Sequence, residues 1–234
     1  MSALFPTPRD LKSASQLQRE LAARVLLTGD LTGVRKVAAL DASSRRGEPL
    51  VAAAVLWDLA EERVLEVSVA ATPPEGLFPY VPGFLSFREA PTYLAALAAL
   101  SEVPDLLLVD GQGVAHPRGL GIAAHLGVHL DLPSLGVAKS LLYGVPAGEL
   151  PEEAGSAVPL TARSAQLGWV YRSRARVKPL YLSPGHRLGL REGLELIRAL
   201  PAPTKLPEPL RQAHLWAGRA RREGLRGRFT PQRP

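Results

Sequence analysis

Residues 34–43, Val-Arg-Lys-Val-Ala-Ala-Leu-Asp-Ala-Ser, are the segment from which the fold of this chain is best predicted. They form a β-rich run that ends at a single acid, Asp41. Two further β-rich runs follow at 50–57 and 63–71, and the turn-forming residues 58–62 join them. Three consecutive strands with short connections are typical of an antiparallel meander. We therefore expect a sheet that begins with a meander and has an acid at the end of its first strand.

The remainder of the chain predicts parallel strands and helices added to this meander. Apolar runs at 105–111 and 135–139 favour buried parallel strands. Helical patterns cover five ranges: 10–27, 85–100, 118–130, 189–200 and 207–223. Residues 144–166, rich in Pro, Gly and small polar residues, are expected to be loop, whereas 167–174 and 179–183 predict a hairpin. This order favours an α/β fold in which helices flank a mixed sheet.

Composition limits the classes of protein to be considered. The 234 residues suit one domain, 1–234, with a basic tail from about residue 222 that we expect to be disordered. Lys and Arg number 28 against 22 acids, and a net charge of +6 favours a polyanionic partner. The absence of cysteine excludes disulfides and thiolate metal sites. No signal peptide and no membrane-length apolar run is found, so we expect a cytoplasmic protein without a membrane partner.

The segment 79–91, Pro-Tyr-Val-Pro-Gly-Phe-Leu-Ser-Phe-Arg-Glu-Ala-Pro, joins the meander to the next predicted helix. Two prolines and a glycine stiffen and bend its backbone, which predicts that Tyr80 is held on a rigid tip. Ser86 and Glu89 have the spacing of a capping box. Glu89 is therefore either a simple helix cap or part of a functional site.

Two acids stand where apolar strands end, Asp41 after the first and Asp110 after the fourth. A single acid at such a position is often only a turn residue. Two of them, joined by Glu89 at a helix start, suit a hard divalent cation with oxygen ligands such as Mg²⁺. His125 and His129 share one helix without a zinc-binding glutamate motif, and we interpret them as structural.

The segment 110–121, Asp-Gly-Gln-Gly-Val-Ala-His-Pro-Arg-Gly-Leu-Gly, predicts a pocket built from backbone. Its four glycines are expected to leave N–H groups free near a helix N-terminus. It lacks the Gly-Lys-Ser/Thr ending of a triphosphate loop, whereas a backbone pocket suits a flipped base. Lys139 at a strand end suits a phosphate contact. His214 lies either on an exposed helix surface or in the site.

Taken together, these motifs resemble the endonuclease V family, and the resemblance spans about residues 10–220. The matching stretches are Asp41, PYVPGFLSFREAP, DGQGVAHPRGLG, GVAKSLLYG, SPGH and LPEPLRQAH. The family is one of deoxyinosine-specific repair nucleases with an RNase H-like fold. It nicks the second phosphodiester bond 3′ to the lesion and leaves 3′-hydroxyl and 5′-phosphate ends. The resemblance implies a Mg²⁺-dependent enzyme, with Mn²⁺ able to substitute, and we expect a monomer that acts on double- or single-stranded DNA containing deoxyinosine.

The resemblance also implies roles for individual residues. The implied catalytic residues are Asp41, Glu89, Asp110, Lys139 and His214, of which Asp41 and Asp110 would ligate the metal with Glu89 as a further ligand. The implied DNA wedge is Pro79, Tyr80, Val81 and Pro82. The implied base pocket is Leu85, Gly111, Gln112, Gly113, His116 and Gly121. The implied phosphate contacts are Lys139, Arg88 and Arg118. Either His214 or Glu89 would accept the proton of the attacking water.

This sequence departs from the family pattern at three places. Residues 42–45 lack the aromatic that often follows the first Asp, Leu210 replaces a usual Thr, and Gly119 replaces a frequent second Arg. No catalytic group is removed by these changes. Three alternatives stay open from sequence: an inosine-specific endoribonuclease, for which RNA would be the partner, a non-catalytic nucleic-acid-binding protein, and a junction nuclease on the same fold.

Overall fold

The computed structural model describes residues 5–230, which form a mixed β-sheet with helices on both faces. The helices are α1 (Leu11–Ala22), α2 (Leu85–Ala98), α3 (Ile122–Leu130), α4 (Leu190–Ala199) and α5 (Glu208–Glu223). The strands are β1 (Lys36–Ser43), β2 (Leu50–Asp58), β3 (Arg63–Thr72), β4 (Leu106–Val109), β5 (Ser134–Ala138), β6 (Val145–Pro146), β7 (Ala157–Ala162), β8 (Ala165–Tyr171), β9 (Leu180–His186) and β10 (Gly227–Phe229). The strand order is β10-β3-β2-β1-β4-β5-β9-β8-β7-β6.

The first three strands form the antiparallel meander that the sequence predicted, and β4 and β5 continue the sheet as parallel strands beside β1. Leu40 of β1 is in register with Val109 of β4, and the Asp110 N–H donates to the Leu40 carbonyl at 2.9 Å. The residues that follow these two partners are Asp41 and Asp110. Parallel pairing therefore brings the two strand-end acids side by side.

The alternation of side chains along the strands decides which face each site residue occupies. Val37 and Ala39 of β1 pack with α4 and α5 on one face of the sheet, whereas Ala38 and Leu40 pack with α2 and α3 on the other. Asp41 continues the first series and so points toward α5. This placement brings Asp41 within reach of His214, which α5 carries.

Residues 144–166 are not the loop that their composition predicted. They contain β6 and β7 and the start of β8, and β7 and β8 form an antiparallel hairpin. The reason is Leu160, which is fully buried in a small core with Val170 and Ala115. Because Pro and Gly are abundant in this stretch, its composition predicted a loop although β7 has a short alternation of apolar residues. The predicted hairpin of 167–174 with 179–183 is confirmed as β8 and β9.

Two helix predictions are corrected at their ends. The first helix stops at Ala22 rather than residue 27. The i, i+4, i+8 spacing of Leu17, Leu21 and Val25 predicts that they form its packed face, but its buried residues are Ala14 and Gln18. The third begins at Ile122 rather than 118, because residues 118–121 are held in turns by the preceding loop. Apolar spacing alone therefore misplaced the packed face of α1.

The predicted capping box at the start of α2 is wrong. The residue at the N-cap is Phe84, and no side chain caps the helix. Ser86 is instead buried one residue inside the helix, where its hydroxyl bonds the His125 ring at 3.0 Å. Glu89 is thus not used as a cap, and its carboxylate faces the site described below.

The basic C-terminal segment carries regular secondary structure within the described residues, and the expected disorder of a tail from about residue 222 stays a prediction. Helix α5 continues to Glu223 and ends at Gly224, whose φ of +70° is a conformation that glycine adopts readily. Strand β10 then pairs with β3, and Phe229 packs on Trp216 with ring centroids 5.1 Å apart. Residues 231–234 lie outside the described part. No helix within residues 5–230 has the length and apolar character needed to cross a bilayer.

Candidate active site

A cluster of charged groups lies where β1, β4 and β5 end beside α5. Asp41 is buried, and its carboxylate contacts the His214 ring, Oδ2 to Nδ1, at 2.7 Å. Lys139 forms an ion pair with Asp110 and lies 3.8 Å from Oδ2 of Asp41. One ligand atom from each of Asp41, Asp110 and His214 lies within 4.8 Å of the other two. Two carboxylates and an imidazole at this spacing could hold a single metal ion.

Glu89 joins this cluster from α2. Its pKa is raised from 4.5 to about 8, chiefly by burial, and the negative charges of Asp41 and Asp110 contribute to that rise. Burial likewise raises the pKa of Asp110 to about 6, with the charge of Asp41 adding to the effect and that of Lys139 opposing it. Three carboxyl groups therefore share a site with too little positive charge to ionise all of them. A divalent cation would supply the missing charge, so the residues present fit a metal site.

The two basic groups of the cluster respond to the acids. The hydrogen bond that His214 donates to the Asp41 carboxylate raises the pKa of His214. Burial acts to lower the pKa of Lys139, but the charges of Asp110 and Asp41 outweigh it and raise the pKa overall. Lys139 is therefore a fixed cation at the edge of the acid cluster. The alternation along β5 places it on the α5 side of the sheet, as for Asp41.

A cavity of about 400 Å³ opens beside the acids. It is bounded on its outer side by residues 79–82, the predicted DNA wedge, which we call the wedge segment. Its lining includes Asp41, Glu89, Asp110 and Lys139 together with most of the predicted base pocket: Leu85, Gly111, Gln112, His116 and Gly121. Tyr80, Val81 and Pro82 line it from the segment side, and Tyr80 is 72% exposed. Pro79 and Gly113 are not part of the lining. The structure thus brings the predicted wedge, pocket and acids around one cavity.

The sequence suggested that the glycines of segment 110–121 leave their N–H groups free, but Gly113, Gly119 and Gly121 donate theirs to protein partners. The Gly113 N–H donates to the Ser183 hydroxyl at 2.8 Å, and the Gly121 N–H donates to the Gly113 carbonyl at 2.8 Å. A Cβ at Gly113 would collide with the Pro184 carbonyl, and one at Gly121 with the Gln112 carbonyl. Glycine is needed at both positions because the loop packs directly against backbone.

Three donors converge on the carbonyl oxygen of Gly83, the residue that directly follows the wedge segment. Gln18 Nε2 lies 2.9 Å from it, Arg118 Nη2 2.6 Å and His116 Nε2 3.0 Å. We call this set the Gly83 clamp. Gly83 has a φ of +79°, so the clamp holds a backbone turn that favours glycine. It ties the wedge segment to α1 and to the loop before α3.

The contacts of His116 fix its tautomer. Its Nδ1 accepts the Arg118 backbone N–H at 3.2 Å, so the ring proton is on Nε2, which donates to Gly83. Burial lowers the pKa of His116 to about 4, which keeps the ring neutral. Both ring nitrogens therefore have protein partners. His116 borders the cavity with its polar atoms already engaged in the clamp.

The two arginines predicted to contact phosphate also have protein partners. Arg88 Nη1 donates to the Phe78 carbonyl at 2.8 Å, which supports the segment just before the wedge. Arg118 stacks on the Phe84 ring, 4.1 Å from its centroid, and bonds Gln18 as well as Gly83. Both side chains brace the wedge segment from either side.

Sequence reasoning missed two residues of the site. Gln18 is almost fully buried on α1 and belongs to the clamp, and a polar residue four positions after Ala14 on a packed face was the signal for it. Tyr93 is buried in the cavity wall, where Glu89 is close enough to help raise the pKa of its phenol, after the larger effect of burial. The i, i+4 spacing of Glu89 and Tyr93 on a helix would have predicted that they lie close together.

The fold and the acid cluster define a class of protein, the hydrolytic nucleases of RNase H-like fold. A sequence profile of the endonuclease V family matches residues 19–215. The endonuclease V of a Thermus thermophilus strain is 66% identical over 217 residues, which cover 92% of this chain and 96% of that protein. The chain belongs to the endonuclease V family, and it is a DNA-binding repair endonuclease with a candidate metal site.

Solved structures of the family have the same fold. The crystal structure of endonuclease V from Streptomyces avermitilis superposes with a TM-score of 0.85 at 38% identity, covering 94% of this chain and 96% of that chain. The endonuclease V of Ciona intestinalis, solved with a 24mer DNA containing an inosine followed by a ribo-adenosine, gives a TM-score of 0.79 at 23% identity. It covers 92% of this chain and 99% of that chain. The RNase H-like fold predicted from the sequence is confirmed.

Proposed function

We propose that this protein recognises deoxyinosine in DNA and, with Mg²⁺ or in its place Mn²⁺, cuts the second phosphodiester bond 3′ to the lesion. The products would carry 3′-hydroxyl and 5′-phosphate ends. The observation that carries the proposal is one cavity of about 400 Å³ with acids at its base and an exposed Tyr80 at its rim. All of these groups come from one chain, so a monomer contains the complete site.

Base recognition would occur in the cavity. Extruding a base from a duplex costs a few kcal/mol and is cheapest at a mispair, which favours a deaminated adenine over a normal pair. Leu85 and Ile122 supply apolar walls on which a purine can lie, with backbone at Gly111 and Gly121. Tyr80 projects its ring from a tip braced by the clamp and would fill the gap in the stack. The Ciona protein, which shares the fold, was solved with inosine-containing DNA.

Asp41 and Asp110, with Glu89, would hold the cation, because hard oxygen donors are the ligands that Mg²⁺ prefers. Such a cation, when bound, lowers the pKa of a coordinated water and neutralises charge on the phosphate oxygens. His214 is oriented by Asp41 through its Nδ1–H, which leaves Nε2 to accept the proton of the attacking water. This contact supports His214 over Glu89 for the role. Lys139 would contact the phosphate beside the acids.

The test is to map the cut on a duplex with a single inosine. With wild-type protein and Mg²⁺, the 5′ fragment of the cut strand should end one nucleotide beyond the lesion. Asp110→Asn should still bind the duplex but leave it uncut. Asp30→Asn is the matched control, because Asp30 is an exposed aspartate outside the site. A strand with riboinosine, compared at equal salt, separates deoxyribonuclease from ribonuclease activity. Faster cutting of the riboinosine strand, or no cutting with either metal, would overturn the proposal.

A further inference from the structure

A second groove, of about 590 Å³, lies next to the cavity and shares only His116 with its lining. We call it the arginine groove, because Arg19 from α1, Arg118 from the loop before α3 and Arg163 from the β7–β8 turn all line it. Its lining contains no acid. Tyr143 adds an aromatic ring to the wall.

Arg19 and Arg118 are close enough to affect one another, and within residues 5–230 no ion pair neutralises the three arginines of this groove. Burial lowers the pKa of Arg118, and the charge of Arg19 lowers it further. The Arg19 guanidinium donates to a neutral hydroxyl, that of Ser15, at 2.8 Å. Arg163 is exposed on a tight turn, and neither side chain has an ion pair in the described part of the chain. Concentrated, unpaired guanidinium groups with a neighbouring aromatic ring match a nucleic-acid backbone.

We propose that the arginine groove binds the phosphates of the substrate strand on the 5′ side of the extruded base. The inference rests on the function proposed above, in which the cut lies 3′ to the lesion and the 3′ strand therefore passes over Asp41 and Asp110. His116 lines both the cavity and the arginine groove, and its hydrogen bonds go to Gly83 and Arg118 rather than to the acids, so it borders the side of the cavity next to the groove. The strand that leaves the cavity past His116 is then the 5′ strand, and it enters the arginine groove.

The experiment measures binding of inosine duplexes in EDTA, where no cut occurs, with wild type and with the Arg19→Ala/Arg163→Ala double variant. Neither residue belongs to the acid cluster or the cavity lining. We expect affinity to fall about tenfold, as for the loss of two solvent-exposed ion pairs. The slope of log affinity against log salt should fall by about 0.7–0.9 for each phosphate that the variant no longer binds. Arg35→Ala is the matched control, because Arg35 is an exposed arginine before β1, at the opposite end of that strand from the acids.

Shortening the substrate strand one nucleotide at a time locates the phosphates that the groove binds. Removing the 5′ flank should weaken wild-type binding but have little further effect on the double variant, whereas removing the 3′ flank should weaken both equally. Equal losses from 5′ shortening in both proteins, or a variant that has lost its 3′ dependence instead, would overturn the proposal. If wild type does not prefer inosine, the proposed function is wrong. The arginine groove is then tested by comparing the salt slopes of wild type and the double variant on an undamaged duplex, and equal slopes would overturn the groove proposal. Thermal unfolding of each variant checks that the fold is intact.

Discussion

Replacing Glu89 by Gln should stabilise the metal-free protein at alkaline pH. The carboxyl has a pKa of about 8 in the folded chain against 4.5 without its surroundings. Between these values the unfolded chain has released the proton that the folded chain still holds. Stability is therefore complete below about pH 4.5, falls as the pH rises, and stops falling once the pH passes about 8. Glutamine has the same shape and no proton to lose, so the variant lacks this dependence.

The size of the effect follows from the shift. At about 1.4 kcal/mol for each pKa unit, the full difference corresponds to roughly 5 kcal/mol. Water in the cavity screens the carboxylate in part, so we expect on the order of 3 kcal/mol. That amount is a large share of the stability of an ordinary domain, about 5–15 kcal/mol. It should be easy to detect in denaturant unfolding.

The assay is urea unfolding in EDTA from about pH 5 to about pH 9, for wild type, Glu89→Gln and the exposed control Glu152→Gln. Wild type and the control should lose stability together as the pH rises, and Glu89→Gln should lose less by the amount above. Mg²⁺ should then restore wild type at alkaline pH and stabilise Glu89→Gln less. Parallel curves for wild type and Glu89→Gln would refute the assignment of this carboxyl to the acid cluster.

Three further substitutions test the clamp, the wedge and the proton acceptor. Gln18→Met should weaken inosine-duplex binding about tenfold, because one buried donor to Gly83 is lost. Its single-turnover rate at saturating enzyme should change little. The control Gln16→Met, on the exposed side of α1, should bind normally. Tyr80→Ala should weaken binding about tenfold and Tyr80→Phe should not, because stacking needs the ring and not the hydroxyl, as a fluorescence titration would reveal. The wild-type cleavage rate should fall as the pH drops through the raised pKa of His214, and His214→Gln should be slower with no such step in its pH–rate profile.

The central sheet and the acids were predictable because each rests on a local pattern. Three β-rich runs with short links specified the meander, and an acid after an apolar run specified where each carboxylate would sit. The register of β1 with β4 then brings Asp41 and Asp110 together with no further information. The prediction of a metal site at these two acids followed from the preference of Mg²⁺ for oxygen ligands.

Other parts of the molecule were not predictable because distant partners decide them. Ser86 has the sequence of a helix cap, but the His125 ring offers a buried hydrogen bond that the helix start does not. The sequence predicts that the Gly113 N–H is free, but it donates to the hydroxyl of Ser183, which lies 70 residues further along the chain. Gln18 has no local reason to be buried, and only the clamp on Gly83 explains it. In each case the deciding contact joins residues that are far apart in the chain, so local sequence spacing could not predict it.

Helix α2 connects recognition of the base to the chemistry at the phosphate. Leu85, Glu89 and Tyr93 are spaced at i, i+4 and i+8, so they lie along one face of the helix, and all three line the cavity. The helix starts directly after the clamped Gly83 and Phe84, which fixes its first turn. One turn, about 6 Å, separates the apolar wall for the base from the carboxylate of the acid cluster. On the proposed function, this rigid spacing sets how far from the extruded base the strand is cut, because the base and the acids cannot move apart without unwinding the helix.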